Sequence, residues 1–151
     1  MILHAIIRAM TKQARCIWTR NLQFVAESDS GHAVVMDTSH ADGMDSASTP
    51  MELILMALMG CTGMDVVSIL KKMRKEPTFF EVTCEAEWAD AKPRYYETIH
   101  LHFRVSGPKV DAAALEKAID LSREKYCSVS AQLSGRSKIT SDFEILEPQT
   151  D

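Results

Sequence analysis

The chain has little of the glycine and proline that mark fibrous or low-complexity proteins, with 6 glycines and 5 prolines among 151 residues. It also lacks an excess of basic charge, since 17 Lys and Arg stand against 21 Asp and Glu and the isoelectric point is about 5.7. This balance argues against a dedicated nucleic-acid-binding protein. Disorder is excluded as well, because 46% of the residues are hydrophobic and the net charge is only −4.

Secretion and membrane signals are lacking too. Residues 1–11 have neither the apolar core nor the cleavage site of a signal peptide, so we interpret them as an N-terminal extension. The apolar run over 53–70 is about as long as a membrane span, but Asp65 interrupts it, and a charge at the bilayer centre costs roughly 2.5–3.5 kcal/mol. We therefore expect a cytoplasmic protein with one domain over 12–147, a tail over 148–151, and neither membrane nor nucleic acid as partner.

The hydrophobic periodicity predicts the order of the secondary-structure elements. Three short strands come first, followed by a polar loop and a long helix; two strands, two helices and a last strand follow. The predicted strands cover 14–19, the region around Phe24, Ala33–Met36, 80–88, 99–105 and 138–146, and the predicted helices cover 49–75, 111–126 and 128–133. This order, without a βαβ repeat, is typical of an α+β fold with an antiparallel sheet.

The start of the long helix carries a capping signature. Thr49 suits the N-cap position, Pro50 suits the first helical position, and Glu52 completes a capping box. The first turns of this helix are apolar nearly all round, which indicates that a sheet or a partner subunit encloses it.

Cys61 is the first candidate for chemistry, because it lies between Gly60 and Gly63 in the long helix. Each glycine costs about 1 kcal/mol in a helix interior, and Thr62 with Asp65 forms a second capping pattern. The helix could therefore restart here, which would place Cys61 at a helix N-terminus, where the dipole favours the thiolate. The alternative is a small core cysteine between glycines that permit tight packing.

The other cysteines and the histidines are less distinctive. Cys127 lies between the second and third predicted helices, so it is either reactive or a buried cysteine at a helix end. Cys16 and Cys84 are expected to be buried and inert on apolar strand faces. His100 and His102 share one strand face, as a metal site would require, but without paired cysteine spacing they are more simply the outward side of that strand. His32 and His40 are the further histidines that such a site could recruit.

Two cysteine motifs carry a resemblance to a known family. The chain resembles the OsmC/Ohr family, the osmotically inducible and organic hydroperoxide resistance proteins, and within it the YhfA-like branch. The resemblance covers essentially residues 12–147. It is carried by Pro50-Met51-Glu52-Leu53, by Gly60-Cys61-Thr62-Gly63-Met64-Asp65, and by Glu124-Lys125-Tyr126-Cys127-Ser128-Val129.

The resemblance implies an activity, an assembly and a fold. The activity is that of a peroxiredoxin-like, thiol-dependent peroxidase that reduces organic hydroperoxides in oxidative-stress defence and is regenerated by a dithiol reductant, without metal or organic cofactor. By position, Cys61 matches the peroxidatic cysteine, which becomes a sulfenic acid, and Cys127 matches the resolving cysteine, which forms a disulfide with it. The assembly is an intertwined homodimer of α+β subunits, each with a long central helix enclosed by curved sheets.

One part of the family pattern departs from expectation. The family activates its thiolate with an arginine from an early loop, held by a glutamate directly after the helix-starting proline. In this chain Met51 follows the proline and Glu52 comes one place later, about 100° further round the helix. Glu52 is therefore either part of the catalytic site or only the capping acid, and the candidate arginines are Arg20 first and Arg15 second.

Two other functions remain open from the sequence. The same dimer could be a non-catalytic protein that binds an apolar small molecule or lipid, as its methionine-rich helix would allow. It could also be a redox sensor that forms the cysteine disulfide without turnover.

Overall fold

The computed structural model describes residues 11–147, so the predicted tail over 148–151 and all but the last residue of the predicted N-terminal extension lie outside the described residues. The chain divides into an N-terminal unit that ends at Ile54 and a C-terminal unit that begins at Leu55. Each unit is described by itself below, and the expectation of a single domain over 12–147 stays a prediction.

The N-terminal unit contains a three-stranded antiparallel sheet. Strands β1 (Ala14–Arg20), β2 (Gln23–Ser28) and β3 (Ala33–Met36) follow one another in that order across the sheet. The turn between β2 and β3 is closed by a hydrogen bond from the Gly31 N–H to the Ser28 carbonyl at 3.0 Å, and Gly31 has the positive φ of 80° that favours glycine. The three predicted strands are confirmed.

The apolar side chains of this sheet are exposed rather than buried. Every residue of β1 is exposed, and Trp18 exposes 62% of its surface. The prediction that Cys16 is buried is wrong, because this cysteine is exposed with the rest of the strand. Alternation along a strand shows which residues share a face, but it does not show whether anything covers that face. Within residues 11–54, Asp37 is the one fully buried residue.

The C-terminal unit is built on one long helix and a second sheet. Helix α1 (Pro50–Lys72) enters it from the N-terminal unit; β4 (Phe79–Trp88) and β5 (Tyr96–Ser106) form an antiparallel hairpin. Helix α2 (Ala112–Leu121), a π-helical turn (Ser122–Tyr126) and helix α3 (Ser128–Leu133) follow, and β6 (Lys138–Ile145) completes the sheet in the order β4-β5-β6. The predicted α+β class is confirmed.

One strand pair differs from the predicted antiparallel arrangement. Strand β6 runs parallel to β5, with Ile99 opposite Ile139 and Phe103 opposite Phe143. The two strands are joined through α2, the π-helical turn and α3, which is long enough for the crossover connection that a parallel pair needs. The sheet of this unit is therefore mixed.

The core of the C-terminal unit lies between α1, the sheet and α2. On α1 the buried residues recur every four positions and form one stripe: Leu58, Thr62, Val66 and Leu70. The apolar partners with the least exposure are Ile99, Leu101, Phe103 and Val105 on β5 and Leu115, Ala118 and Ile119 on α2. Leu58 and Thr62 line one small cavity together with Leu101, Phe103 and Ile119, which shows that the three elements meet there.

Helix α1 is continuous through the two glycines, so the restart beside Cys61 that the sequence left open does not occur. The Thr62 hydroxyl, expected to cap a new helix, donates to the Leu58 carbonyl at 2.9 Å instead. A Cβ at Gly63 would lie 3.4 Å from the Phe80 ring, at van der Waals contact, so the helix passes β4 at this position. Burial of the stripe outweighs the helix propensity lost at the glycines, as tertiary packing commonly does.

The start of α1 agrees with the capping prediction. The Thr49 N–H and hydroxyl both donate to the Glu52 carboxylate, at 2.7 and 2.9 Å, and the Glu52 N–H donates to the Thr49 hydroxyl at 3.3 Å. This is the predicted capping box. The helix ends at Lys72, three residues earlier than predicted, and Arg74 shortly after it has a φ of 60°.

A second face of α1 is open. Met56 exposes 48% and Met64 exposes 76% of its surface, although both lie within the helix. By length and composition alone α1 could cross a bilayer, a test that the core helix of a soluble protein also passes. The predicted enclosure of the helix is therefore found on the side of the buried stripe and not at Met56 and Met64.

Candidate redox site

Two of the four predicted site residues meet in the C-terminal unit. The sulfur atoms of Cys61 and Cys127 and a carboxylate oxygen of Asp65 all lie within 4.8 Å of one another. Cys61 and Asp65 are four positions apart on α1, so both side chains project from the same face of the helix. Both cysteines are free thiols. The site therefore contains two reduced sulfur atoms and a carboxylate in mutual reach.

Cys127 is positioned by the π-helical turn. Its N–H donates to the Ser122 carbonyl at 2.8 Å, which is the hydrogen bond that closes the turn, and its backbone is extended. The residue then serves as the N-cap of α3, where its sulfur accepts the Ser130 N–H at 3.3 Å. The Thr62 hydroxyl lies 3.5 Å from the same sulfur. Cys127 is only 3% exposed, so these contacts hold a buried thiol in place.

Asp65 is held by a buried serine. The Ser122 hydroxyl donates to the Asp65 carboxylate at 3.0 Å, and Ser122 is fully buried. The same π-helical turn thus orients both Cys127, through the backbone, and Asp65, through a side chain. Single π-helical turns are frequent at functional sites.

The surroundings of Cys61 favour the neutral thiol. Burial raises the pKa of the Cys61 thiol most, and the neighbouring Cys127 and the negative charge of Asp65 raise it further; a hydrogen bond from the Val129 N–H acts in the opposite direction. Of the two positions that the sequence left open for Cys61, a helix N-terminus and a helix interior, the structure shows the interior of α1. The backbone donor that it does have comes from Val129, in the first turn of α3.

The two remaining predicted site residues lie in the N-terminal unit. Glu52 is engaged in the capping box, and the hydrogen bonds from the Thr49 backbone and side chain lower its pKa. Arg20 ends β1 and is exposed, whereas Arg15 forms an ion pair with Glu27 on the neighbouring strand, at 2.5 Å. The activating role of Arg20 and Glu52 stays a prediction.

The histidine pair lies on the second sheet, away from the apolar face of β5. His102 Nδ1 contacts the Asp142 carboxylate at 2.5 Å, and His100 Nδ1 contacts the Thr140 hydroxyl at 2.8 Å. Both rings are half-exposed, in agreement with the interpretation of an outward strand side. Cys84 on β4 is half-buried rather than fully buried, and burial raises the pKa of its thiol; its inertness stays a prediction.

The sequence analysis missed Asp65 and Ser122 as members of the site. Asp65 was treated as an interruption of an apolar run, yet its spacing of four from Cys61 on a predicted helix was a usable signal. No sequence pattern indicates Ser122, because its hydrogen bond to Asp65 joins residues 57 positions apart in the chain. The contact between Thr62 and Cys127 spans 65 positions and was equally out of reach.

Comparisons with known proteins agree on one family. The family model described as OsmC-like protein matches residues 43–142. The protein YhfA of Escherichia coli K12 is 43% identical over 134 residues, which cover 89% of this chain and 98% of YhfA.

Solved structures share the fold. An OsmC-like protein of unknown function from Vibrio cholerae superposes with a TM-score of 0.76 at 15% identity, covering 89% of this chain and 99% of that chain. An organic hydroperoxide resistance protein from Legionella pneumophila superposes with a TM-score of 0.66 at 15% identity, covering 89% and 96%.

Replacing Asp65 tests the electrostatics of the site. Asp65→Asn removes a negative charge that raises the pKa of Cys61, so a larger fraction of the thiol ionises at neutral pH and alkylation of Cys61 by iodoacetamide becomes faster. Because the pKa of Cys61 is raised above that of an ordinary thiol, about 8.5, the rate of wild-type alkylation should still be rising above that pH, and the Asp65→Asn profile should be displaced to lower pH. The rate at Cys61 is read by peptide mass spectrometry over a pH series.

Glu116→Gln is the matched control, because Glu116 is an exposed acid on α2. Its alkylation profile should coincide with that of the wild-type protein. An unchanged profile for Asp65→Asn would contradict the assigned influence of this carboxylate.

Proposed function

The chain belongs to the OsmC-like protein family, and on that basis we propose that it is a peroxiredoxin-like, thiol-dependent peroxidase that reduces organic hydroperoxides in oxidative-stress defence. The observation that carries the proposal is the approach of the Cys61 and Cys127 sulfur atoms to within 4.8 Å. The name of the Legionella pneumophila relative points to organic hydroperoxides as the substrate class. At 15% identity, the similarity to that protein supports a shared fold and not, by itself, a shared activity.

The two sulfur atoms have the environments that the two steps require. Cys61 is partly exposed, so a peroxide can reach it, whereas Cys127 is buried and meets only groups of the protein. The Cys61 thiolate attacks one peroxide oxygen, the O–O bond breaks, and the alcohol leaves after taking up a proton; the product on the protein is a sulfenic acid. Cys127 then attacks the sulfenic sulfur, which releases water and forms the disulfide. A dithiol reductant supplies the two electrons that restore both thiols.

The electrostatics indicate that Cys61 needs an activating group. Since burial and Asp65 raise the pKa of Cys61, only a small fraction is thiolate at neutral pH without further help. A cation beside the sulfur would lower that pKa, and Arg20, oriented by Glu52, is the pair that the family pattern assigns to this role. In this proposal Glu52 acts both as helix cap and as partner of the arginine.

Oxidation with a substrate analogue tests the two-cysteine mechanism. One equivalent of cumene hydroperoxide should convert the reduced protein into a form with an intramolecular disulfide between Cys61 and Cys127, because the sulfur atoms need to move only a short way to bond. Cys61→Ser should abolish turnover with a dithiol. Peptide mapping locates the disulfide, and consumption of hydroperoxide measures turnover.

Cys84→Ser is the control for loss of a thiol as such, since Cys84 is half-buried on β4, and it should retain full turnover. If both Cys61 and Cys127 were still free after the peroxide had been consumed, the mechanism would be wrong.

A pair of variants separates the two roles of Glu52. Glu52→Gln keeps a capping box, because glutamine also serves at that position, but it removes the charge that would hold Arg20. Thr49→Val removes the capping hydroxyl and leaves the carboxylate. We expect Glu52→Gln and Arg20→Gln to lower the rate of peroxide reduction by about tenfold or more, the effect of one pKa unit on the thiolate fraction.

Thr49→Val should instead lower the free energy of unfolding by about 1 kcal/mol with little change in rate. Denaturant unfolding and initial rates measure the two effects. Equal rates for Glu52→Gln and the wild-type protein would show that Glu52 is only a helix cap.

The working assembly in this proposal is a homodimer. Met56 and Met64 are apolar side chains exposed in the middle of α1, and the N-terminal sheet has no fully buried apolar side chain within residues 11–54. A three-stranded sheet needs a covered hydrophobic face for stability. A second copy of the chain would supply that cover, as the intertwined dimer implied by the resemblance does.

A charge on the exposed face of α1 tests the dimer. Met64→Glu should raise the dimer dissociation constant by about 100-fold or more, because an unpaired charge buried at an interface costs roughly 2–5 kcal/mol. Sedimentation velocity over a concentration series measures the constant. Ala113→Glu adds the same charge at an exposed position of α2 and should leave it unchanged. A monomeric wild-type protein at micromolar concentration would contradict the proposal.

A redox sensor is the second candidate function, and the mutual reach of the Cys61 and Cys127 sulfur atoms supports it equally. A sensor forms the same disulfide and waits for reduction, without catalytic turnover of peroxide. Turnover with excess hydroperoxide and a dithiol reductant distinguishes the two: a peroxidase consumes many equivalents of peroxide, and a sensor shows no catalytic consumption. In either case we place the protein in the cytoplasm, where thiols are kept reduced.

A further inference from the structure

The redox site has a second chemistry that does not depend on peroxide. We propose that the reduced protein binds a Zn²⁺ ion between the sulfur atoms of Cys61 and Cys127 and the carboxylate of Asp65. The three donor atoms lie within 4.8 Å of one another. Around a tetrahedral zinc ion with Zn–S distances of about 2.3 Å, neighbouring ligand atoms are separated by roughly 3.5–4 Å, so a small inward movement of each side chain completes the site.

The donor set matches zinc better than other common ions. Two thiolates exclude magnesium and calcium, which prefer oxygen ligands, and a carboxylate is a poor ligand for monovalent copper. Three protein ligands leave a fourth position for water, the arrangement of an accessible rather than a purely structural zinc site. Cys61 and Asp65 are half-buried at this point, so the open position can face solvent.

The surroundings support the ligands. The fully buried Ser122 donates to the Asp65 carboxylate at 3.0 Å and thereby orients it. The Ser130 N–H donates to the Cys127 sulfur at 3.3 Å, and the Val129 N–H donates to Cys61. Hydrogen bonds of this kind to coordinating atoms are characteristic of metal sites, and their loss typically weakens binding by about 10–100-fold.

Zinc binding and oxidation are mutually exclusive at this site. Each thiol releases its proton to solvent when it coordinates, so two protons leave for each ion bound and the affinity rises with pH. Coordination to the cation withdraws electron density from the sulfur and makes it a weaker nucleophile towards a peroxide, and a disulfide no longer offers thiolates to the metal. Bound zinc would therefore protect the reduced cysteines from oxidation, and removal of the zinc would make them available to a peroxide again.

Cobalt is the spectroscopic probe for this site, used with the reduced full-length protein. Co²⁺ should bind with one equivalent per chain and produce thiolate-to-cobalt charge-transfer absorption, and Zn²⁺ should displace it. Cys61→Ser, Cys127→Ser and Asp65→Asn should each weaken binding by tenfold or more, and Ser122→Ala by about tenfold. Oxidation to the disulfide should abolish the absorption, and reduction should restore it, which tests the ligands without any substitution.

Cys84→Ser and Cys16→Ser are the matched controls and should bind Co²⁺ as the wild-type protein does. Absence of the charge-transfer absorption in the wild-type protein would overturn the proposal. A second outcome would also overturn it: Co²⁺ binds without the charge-transfer absorption, and the binding is lost in His102→Ala. That result would place the ion at His100, His102 and Asp142 instead. Turnover of peroxide by chelator-treated protein is measured separately, so failure of the zinc site and failure of the peroxidase proposal are distinct results.

Discussion

The rotation of α1 about its own axis is set by four buried side chains that recur every fourth residue, Leu58, Thr62, Val66 and Leu70. Because these residues lie against the sheet and α2, the neighbouring row of the helix, with Cys61 and Asp65, is directed towards the π-helical turn and α3. A rotation of one residue would move both side chains by about 100° and separate them from Cys127. The geometry of the site thus depends on the burial of a stripe of which only Thr62 contacts the site, through Cys127.

The same burial explains the chemical character of the site. It raises the pKa of Cys61, and the carboxylate that Ser122 holds beside the sulfur raises it further. A thiol in such surroundings stays protonated until a cation stabilises its thiolate. In the proposed peroxidase that cation is an arginine, which lowers the pKa of Cys61 for reaction with a peroxide. In the proposed zinc site it is the metal ion, which binds both thiolates. Both proposals thus depend on the same raised pKa of Cys61 beside Asp65.

The distribution of exposed apolar groups points beyond a single chain. The C-terminal unit has a core of its own, centred on Phe103, Leu58 and Leu115, but Met64 on the other side of α1 is left 76% exposed. In the N-terminal unit, Trp18 and its neighbours on β1 are exposed as well. The part of the chain that the structure describes therefore leaves some of its apolar surface uncovered, which is the physical ground for the proposed second subunit.

The sequence by itself determined the local structure. The capping box of Thr49 and Glu52, the strand alternation and the gap before Cys127 depend on neighbours within a few positions, and each was found where the pattern indicated. Tertiary structure decided the rest: that Cys16 is exposed, that α1 continues through Gly60 and Gly63, that β6 is parallel to β5, and that Asp65 and Ser122 join the two cysteines. Periodicity shows which residues share a face, but the partner of that face lies tens of positions away and is selected only by packing.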